Sequence, residues 1–265
     1  MRQILFLAIS GEDRISCWEI DSSDGRLQQI SNTEVSGRPA PLAVDIERSL
    51  LYVGRRDIPR VSSYRIDSSS GSLELLDDGP LLDADPCFIS LDKRARFLLG
   101  AYYVGGGTSV HGLNEGRFQG RADWISTGTG AHCVMTDPSN RYALLPHIAE
   151  RGGINTIRIF NFNEKSGELT PNDPAECSQP EGRGPRHYCF HPSGRYVYFS
   201  NEQECSITTY SYEPGSGSIV ELQTVTTLPR EFKGENTCAQ LRLTPDGRFL
   251  FAPNRGHDSL AAFGV

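Results

Sequence analysis

The stretch HPSGRYVY at residues 191–198 returns as TPDGRFLF at residues 244–251 and, in part, as DPSNRY at residues 137–142. Each copy combines a tight turn with the start of a hydrophobic strand. A second recurring stretch is a strand that ends in a loop of the form D/N-x-x-x-G-x-L, at residues 63–73 and 159–169. Internal repetition of this kind predicts a fold made of similar units, each packed on its neighbours.

The spacing of the units indicates their type. The apolar residue that opens the strongest strand of each unit is called its marker, and the markers are Leu50, Phe97, Tyr142, Tyr196 and Phe249. Intervals of roughly 45 to 54 residues are typical of four-stranded propeller blades. Short apolar runs between turn residues favour strands, and no long helical period is found. The sequence therefore predicts an all-β propeller, with residues 1–265 as a single domain.

Counting strands predicts an incomplete ring. The run ILFL at residues 4–7 looks like one more marker strand, which makes six units, but we predict only three strands in the first unit and three in the sixth. About 22 strands do not divide into whole four-stranded blades. The chain is then either a fragment of a larger propeller with an open ring, or a six-bladed ring that closes imperfectly. We favour the fragment.

Charge and cysteine content limit the partners and the location. The net charge of −7 argues against nucleic acids and anionic membranes as general partners. The seven cysteines are odd in number and form no C-x-x-C pair, so we expect free thiols and a cytoplasmic location. The apolar N-terminal run is better explained as the first strand than as a signal peptide. No nucleophile elbow or zinc-binding spacing occurs, and we predict neither a metal nor a cofactor.

Polar residues that break the repeat are the best functional candidates, because the fold does not require them. Two groups of these polar residues lie where first strands open, in GAH at residues 130–132 and in GPRH at residues 184–187. Two more groups directly follow second strands, in NE at residues 201–202 and in NRGH at residues 254–257. First strands line the channel of a propeller, so all of these positions should lie at the same end of the ring. We expect four side chains to converge at one mouth: His132, Arg186, Glu202 and Arg255.

These four residue types suit a particular chemistry. Guanidinium groups bind phosphate or carboxylate, and a histidine or a glutamate can transfer protons near neutral pH. We assign the four as catalytic candidates and predict a substrate-binding set around them: Arg56, His187, Asn201, Glu235, Asn254 and His257. Structural roles stay open for each, such as salt bridges to turn carboxylates. Among the other histidines, His191 is interpreted as a turn residue, His147 could face the mouth, and His111 is expected on a strand surface.

The run GPRHYCFHPSGRYVY at residues 184–198, followed by Asn201-Glu202, is similar to the signature of the bacterial propeller-type 6-phosphogluconolactonases. That family includes the fungal-type 3-carboxy-cis,cis-muconate lactonising enzymes. The resemblance spans the whole chain and includes residues 52–56, 130–132 and 234–236. It implies a seven-bladed propeller, of which the last strand of blade six, all of blade seven and the strand closing blade one would be missing. A C-terminal truncation with an open ring would explain the strand deficit.

The resemblance also implies a function, the hydrolysis of a sugar-acid lactone and above all of 6-phosphogluconolactone. In the lactonising branch a His, an Arg, a Glu and a second Arg act in the cleft, and by motif these resemble His132, Arg186, Glu202 and Arg255. The arginines would bind the phosphate or the developing carboxylate of a small anionic lactone. Either His132 or Glu202 would activate water. Cycloisomerisation of a carboxymuconate and a non-catalytic binding scaffold remain alternatives.

Overall fold

The computed structural model describes residues 3–265, except for the side chains of residues 121 and 122; Met1 and Arg2 of the apolar N-terminal run lie outside the described residues. The described chain forms six antiparallel sheets, joined in chain order, and one short 3-10 helix at Ser10–Glu12. No helix in residues 3–265 approaches the length and apolarity that crossing a membrane requires.

The strands follow one another from sheet to sheet. The first sheet contains β1 (Gln3–Ile9), β2 (Arg14–Ile20) and β3 (Leu27–Glu34). The second contains β4 (Pro39–Asp45), β5 (Leu50–Arg55), β6 (Arg60–Ile66) and β7 (Leu73–Asp77). The third contains β8 (Phe88–Leu91), β9 (Phe97–Tyr102), β10 (Gly107–Asn114) and β11 (Arg117–Ser126).

The last three sheets repeat this pattern. The fourth contains β12 (Met135–Thr136), β13 (Tyr142–His147), β14 (Thr156–Phe162) and β15 (Leu169–Ser178). The fifth contains β16 (Pro185–Phe190), β17 (Tyr196–Asn201), β18 (Ser206–Glu213) and β19 (Ser218–Thr226). In the sixth, the first strand is split into β20 (Thr237–Cys238) and β21 (Arg242–Leu243), which both pair with β22 (Phe249–Arg255), and β23 (Ser259–Gly264) pairs on its other side.

Each sheet is one blade of a propeller. The first strands β4, β8 and β12 contact one another in sequence, as strands around a common channel do. Strand β1 contacts β4 in the way that β13 contacts β16, so β1 takes the second position of its blade. The predicted all-β propeller of about six blades is confirmed, and the first five sheets have the predicted number of strands.

The second strands of blades two, three and four are buried because neighbouring blades cover both of their faces, whereas β1 and β22, in the first and sixth blades, are partly exposed. Every residue of β5, β9 and β13 is buried, and these strands are continuous apolar runs rather than alternating ones. The same packing corrects one prediction. His111 lies on β10, a third strand, but it is 1% exposed, and its Nε2 is 2.8 Å from Ser109 Oγ.

The turn before the second strand is held by its first residue. The Asp137 carboxylate accepts the N–H groups of Arg141 and Tyr142 at 2.9 Å each. In the sixth blade Thr244 Oγ1 accepts the N–H of Phe249 at 3.1 Å. His191 has the same place in the fifth blade, where its Nδ1 accepts the N–H of Ser193 at 3.0 Å. The structural role predicted for His191 therefore matches its contacts.

The two recurring stretches meet across blade boundaries. A Cβ atom on Gly167 would lie 2.5 Å from the ring of Phe97 in the preceding blade, and one on Gly217 would lie 2.5 Å from the ring of Tyr142. Both glycines also have left-handed φ angles, of 79° and 71°, that other residues rarely adopt. The marker of one blade thus packs on the turn glycine of the next, which explains why both stretches recur with the same period.

Candidate active site

The repeat supplies two kinds of position at one end of the channel, the first in five blades and the second in at least three. The first is six residues after each marker, where the second strand ends, and it is occupied by Arg56, Tyr103, Ile148, Glu202 and Arg255. The second is two residues after the glycine that precedes the first strand, and it is occupied by Pro39, His132 and Arg186. The side chains at these positions vary while the backbone repeats.

Glycine carbonyl groups join the two positions. The carbonyl oxygen of Gly130 accepts the N–H of Ile148 at 3.0 Å, and that of Gly184 accepts the N–H of Glu202 at 2.7 Å. The φ angles of the two glycines, 98° and 70°, lie in the left-handed region. A Cβ atom on Gly184 would also meet Gln203 Oε1 at 1.7 Å. Glycine is therefore required here, and it brings the start of the first strand beside the end of the second.

A β-bulge sets the direction of Arg186. Pairing between β16 and β17 shifts from Pro185–Asn201 to His187–Ser200, which leaves Arg186 as the extra residue. A bulge re-aims side chains in this way, and it brings Arg186 and His187 into contact although they are consecutive in a strand. Arg186 Nη1 lies 2.7 Å from His187 Nδ1.

Glu202 is the centre of the site. Its Oε2 accepts a hydrogen bond from Arg186 Nε at 2.7 Å, and its Oε1 accepts one from Arg255 Nη2 at 2.5 Å. Arg255 Nη2 also donates to the carbonyl oxygen of Cys238 at 3.1 Å. The side chains of Glu202 and Arg186 are 12% and 13% exposed, whereas that of Arg255 is 46% exposed. One carboxylate thus holds two guanidinium groups, from blades five and six, facing a solvent-accessible mouth.

His132 lies next to this cluster. Its ring centroid is 5.0 Å from that of His187 and 6.0 Å from that of Tyr103. Burial lowers the pKa of His132 to about 3, and the positive charges of Arg186, Arg255 and Arg56 contribute in the same direction. Its ring makes no hydrogen bond with any other residue in the described part of the chain. Because its pKa is low, the imidazole is neutral, and it lies near the guanidinium groups of Arg186 and Arg255.

The thiol of Cys87 packs against the backbone of His132 and the residue before it. Cys87 Sγ is 3.3 Å from the carbonyl oxygen of Ala131 and 3.7 Å from that of His132. Burial raises the pKa of Cys87 to about 12. A thiol is a nucleophile only as the thiolate, so Cys87 packs against the site without supplying a reactive group at neutral pH.

The predicted substrate-binding residues are placed differently. Arg56 lies six residues after Leu50, at the repeat position that also holds Glu202 and Arg255. Its positive charge contributes, less than burial does, to the lowered pKa of His132. His187 is 5% exposed and is in contact with both Arg186 and His132. Glu235 is exposed, before β20. His257 packs on the ring of Phe232, at 4.7 Å between centroids, and its Nδ1 is 2.6 Å from Ser259 Oγ.

The two predicted asparagines are engaged within their blades. Asn201 Nδ2 donates to Ser206 Oγ at 2.7 Å and to Thr208 Oγ1 at 2.8 Å. Asn254 Nδ2 donates to the carbonyl oxygen of Thr227 at 3.0 Å, and its Oδ1 accepts from the Thr227 hydroxyl at 2.8 Å. Both side chains are almost fully buried. This geometry favours a structural role for them.

Tyr103 and His147 differ in their relation to the mouth. Tyr103 packs on His132 and was missed by sequence reasoning, although it sits six residues after a marker, the position that also holds Glu202. His147 is fully buried, with Nε2 at 2.8 Å from Thr127 Oγ1 and Nδ1 at 3.1 Å from the carbonyl oxygen of Leu145. Both of its ring nitrogens are therefore used inside the protein.

Comparison with known proteins assigns the family. The family model described as Lactonase, 7-bladed beta-propeller, matches residues 8–265. The chain belongs to this lactonase family. The family and the seven-bladed fold type predicted from the sequence are confirmed.

Individual relatives agree with this assignment. The chain is 32% identical over 266 residues to the 6-phosphogluconolactonase of Serratia proteamaculans (strain 568), and the match covers all of this chain and 78% of that protein. It is 31% identical over 265 residues to the 6-phosphogluconolactonase of Enterobacter sp. (strain 638), with the same coverage. The periplasmic gluconolactonase of Pseudomonas aeruginosa superposes with a TM-score of 0.89 at 25% identity, over all of this chain and 79% of that one.

Buried neutral histidines predict a loss of stability on mild acidification. Burial lowers the pKa of His147 to about 4 and that of His187 well below its ordinary value. In the unfolded chain both should titrate near pH ~6.5, so below that pH the unfolded state binds protons that the folded state excludes. Stability should therefore fall as the pH drops from about 7 towards 4, and the slope should approach about 1.4 kcal/mol per pH unit for each histidine once the pH is well below the unfolded-state pKa.

Urea unfolding at several pH values between 7.5 and 5 measures this slope. A His147→Asn variant should lose the contribution of one histidine to the slope, whatever its absolute stability. Equal free energies of unfolding at pH 7 and pH 5 would contradict the prediction.

Proposed function

We propose that this protein is a lactonase that hydrolyses 6-phosphogluconolactone to 6-phosphogluconate. The observation that carries the proposal is the arrangement around Glu202, whose carboxylate holds Arg186 and Arg255 beside the neutral imidazole of His132. Two relatives at 31% and 32% identity carry the name 6-phosphogluconolactonase, which supports the choice of substrate. The protein is a carboxylic-ester hydrolase, and the proposed reaction needs neither a metal nor an organic cofactor.

The guanidinium groups bind the substrate. Arg186 is fixed on two sides and partly buried, so it suits the reacting end of the lactone, where negative charge develops on the carbonyl oxygen. Arg255 is more exposed and, with Arg56, suits the phosphate group. Guanidinium groups match phosphate oxygens in geometry as well as in charge.

His132 is the proposed general base. It takes a proton from water as the water oxygen attacks the lactone carbonyl carbon, which gives a tetrahedral intermediate with its charge facing Arg186. The intermediate collapses by breaking the bond between that carbon and the ring oxygen, and the proton held by His132 passes to this oxygen. Glu202 is less suited as a base, because both of its oxygens already accept hydrogen bonds from guanidinium groups. Its role is to hold the arginines.

Substrate binding should prepare His132 for this task. Without ligand its pKa is about 3, chiefly because of burial and then because of the nearby guanidinium charges. A general base works best when its pKa is close to the operating pH. An anionic substrate offsets the charges of Arg186, Arg255 and Arg56 and thereby raises the pKa of His132 in the complex.

The direct test is acid release from 6-phosphogluconolactone at neutral pH, compared with spontaneous hydrolysis. Turnover no faster than the spontaneous rate would overturn the proposed function.

Arg56 should affect binding more than chemistry. In an Arg56→Gln variant the KM for 6-phosphogluconolactone should rise about 10- to 100-fold, because a charge-assisted hydrogen bond contributes about 1.5–3 kcal/mol, while kcat should change little. The same variant should hydrolyse gluconolactone without the phosphate group as well as the unaltered protein does. Steady-state kinetics with both lactones measures this difference. An equal loss with the two substrates would rule out a phosphate contact.

We also propose a cytoplasmic location. The support is chemical: six buried or half-buried cysteines are free thiols, as expected in a reducing compartment, namely Cys87, Cys133, Cys177, Cys189, Cys205 and Cys238. The Pseudomonas aeruginosa relative is named as periplasmic, so cell fractionation is the appropriate test. Recovery of the protein in a periplasmic fraction would contradict this location.

A further inference from the structure

His187 has a fixed place between three groups of the site. It accompanies Arg186 on the bulged start of β16, and its Nδ1 is 2.7 Å from Arg186 Nη1. The ring of Phe88 packs against it with centroids 5.4 Å apart, and the ring of His132 lies on another side at 5.0 Å. With 5% of its surface exposed, the imidazole has little room to reorient or to contact a ligand.

The contact with Arg186 determines the form of the ring. A guanidinium nitrogen can only donate, because arginine stays protonated in proteins. His187 Nδ1 must therefore accept this hydrogen bond, which requires a bare nitrogen there and the proton on Nε2. Burial, the charge of Arg186 and the neighbouring His132 all lower the pKa of His187, which is consistent with a neutral ring.

Together with Glu202, this contact orients Arg186 completely. Nε donates to the carboxylate of Glu202 and Nη1 donates to His187, so the plane of the guanidinium group is fixed at two of its three nitrogens. Nη2 has no partner among the residues that the structure describes. It is therefore the nitrogen left for a substrate oxygen, and its direction depends on both of the other bonds.

We propose that His187 is a positioning residue, which holds Arg186 through a bare Nδ1 so that Nη2 points at the substrate, and that it does not bind substrate itself. The proposal rests on the role of Arg186 in lactone hydrolysis proposed above. It replaces the substrate-binding role predicted from the sequence by an indirect one. A positioning role predicts an effect on kcat at least as large as that on KM, because Arg186 stabilises charge that develops during the reaction.

Two substitutions at this position separate positioning from packing. In His187→Leu the acceptor is lost, and kcat should fall about 10- to 100-fold, the range for losing a hydrogen bond to a charged group. In His187→Asn the side-chain oxygen can accept in the place of Nδ1, so kcat should stay within about threefold of the unaltered protein. His191→Leu, which changes a turn histidine outside the site, serves as the matched control and should keep full turnover.

A measurement without substrate makes the inference independent of activity. Nitrogen NMR of the ligand-free protein at neutral pH, with the His187 signals assigned by their loss in His187→Asn, should show a bare Nδ1 and a protonated Nε2. A proton on Nδ1 would overturn the proposal, even if His187→Leu failed to fold. Equal kcat values in the Leu and Asn variants would overturn it too. If the unaltered protein failed to hydrolyse the lactone, the proposed function would fall, and the NMR result would still decide how His187 bonds to Arg186.

Discussion

Replacing Arg186 by alanine is expected to lower kcat/KM for 6-phosphogluconolactone about 100- to 1,000-fold, the range seen when one donor to a developing oxyanion is removed. The physical reason is that Arg186 is oriented before the reaction by Glu202 and His187, so its charge requires no rearrangement when the carbonyl oxygen becomes negative. Most of the loss should be in kcat. Steady-state kinetics at neutral pH, with folding checked by circular dichroism, measures the effect.

Arg195→Ala is the matched control, because Arg195 is exposed at the turn of the same blade. It should leave turnover within about twofold, as surface substitutions away from special features usually do. Turnover by Arg186→Ala at the rate of this control would remove Arg186 from the mechanism.

Replacing Glu202 by glutamine should destabilise the protein and abolish most of its activity. The variant keeps the size of the side chain but removes the charge that holds two guanidinium groups together. Leaving buried charges without their partner typically costs about 3–5 kcal/mol, and we expect about 2–4 kcal/mol because Arg255 is partly exposed. Urea unfolding measures the stability, and the lactone assay should show a loss of about 100-fold or more.

Glu204→Gln is the control for this prediction. Glu204 pairs with Arg183 at 3.2 Å in the same blade but is 39% exposed, so its loss should cost at most about 1 kcal/mol. Inorganic phosphate adds a further test. It should stabilise Glu202→Gln more than the unaltered protein, because the anion takes over part of the missing charge. Equal stabilisation of both proteins would argue against unpaired guanidinium groups in the variant.

The fold was predictable because its signals are local and repeated. Phe97 and Tyr142 recur at blade spacing, and Gly167 and Gly217 recur at turn spacing, so the blade could be identified before any long-range contact was known. The packing of these rings on these glycines could not be predicted from the sequence, because it joins residues of different blades. His111 was misjudged for a related reason: the sequence does not show that neighbouring blades also cover third strands.

The candidate site was partly predictable. His132, Arg186, Glu202 and Arg255 stood out because they are polar at positions that the repeat assigns to one end of the channel, and the hydrogen bonds around Glu202 bring three of them together. Tyr103 occupies such a position but was hidden as an aromatic residue next to a strand. The bulge at Arg186 leaves no sequence signal.

Asn201 was predicted to bind substrate because the alternation of side chains along its strand was not applied. It precedes Glu202, and consecutive residues at the end of a strand point to opposite faces. Its amide therefore enters the blade and bonds Ser206 and Thr208, while Glu202 faces the mouth. Asn254 stands in the same relation to Arg255. Applying the two-residue period of a strand to these pairs would have separated the candidates.

The packing of Phe97 on Gly167 has a consequence for how such a chain can grow. Blades three and four each bring a ring for the following blade and a glycine for the preceding one, so the two edges of such a blade are complementary to each other. If the gene segment for one such blade were duplicated, the new blade could pack on the blades before and after it without any further mutation. We expect descendants to differ in blade number more readily than in blade design, because an insertion preserves every junction whereas a changed marker breaks one.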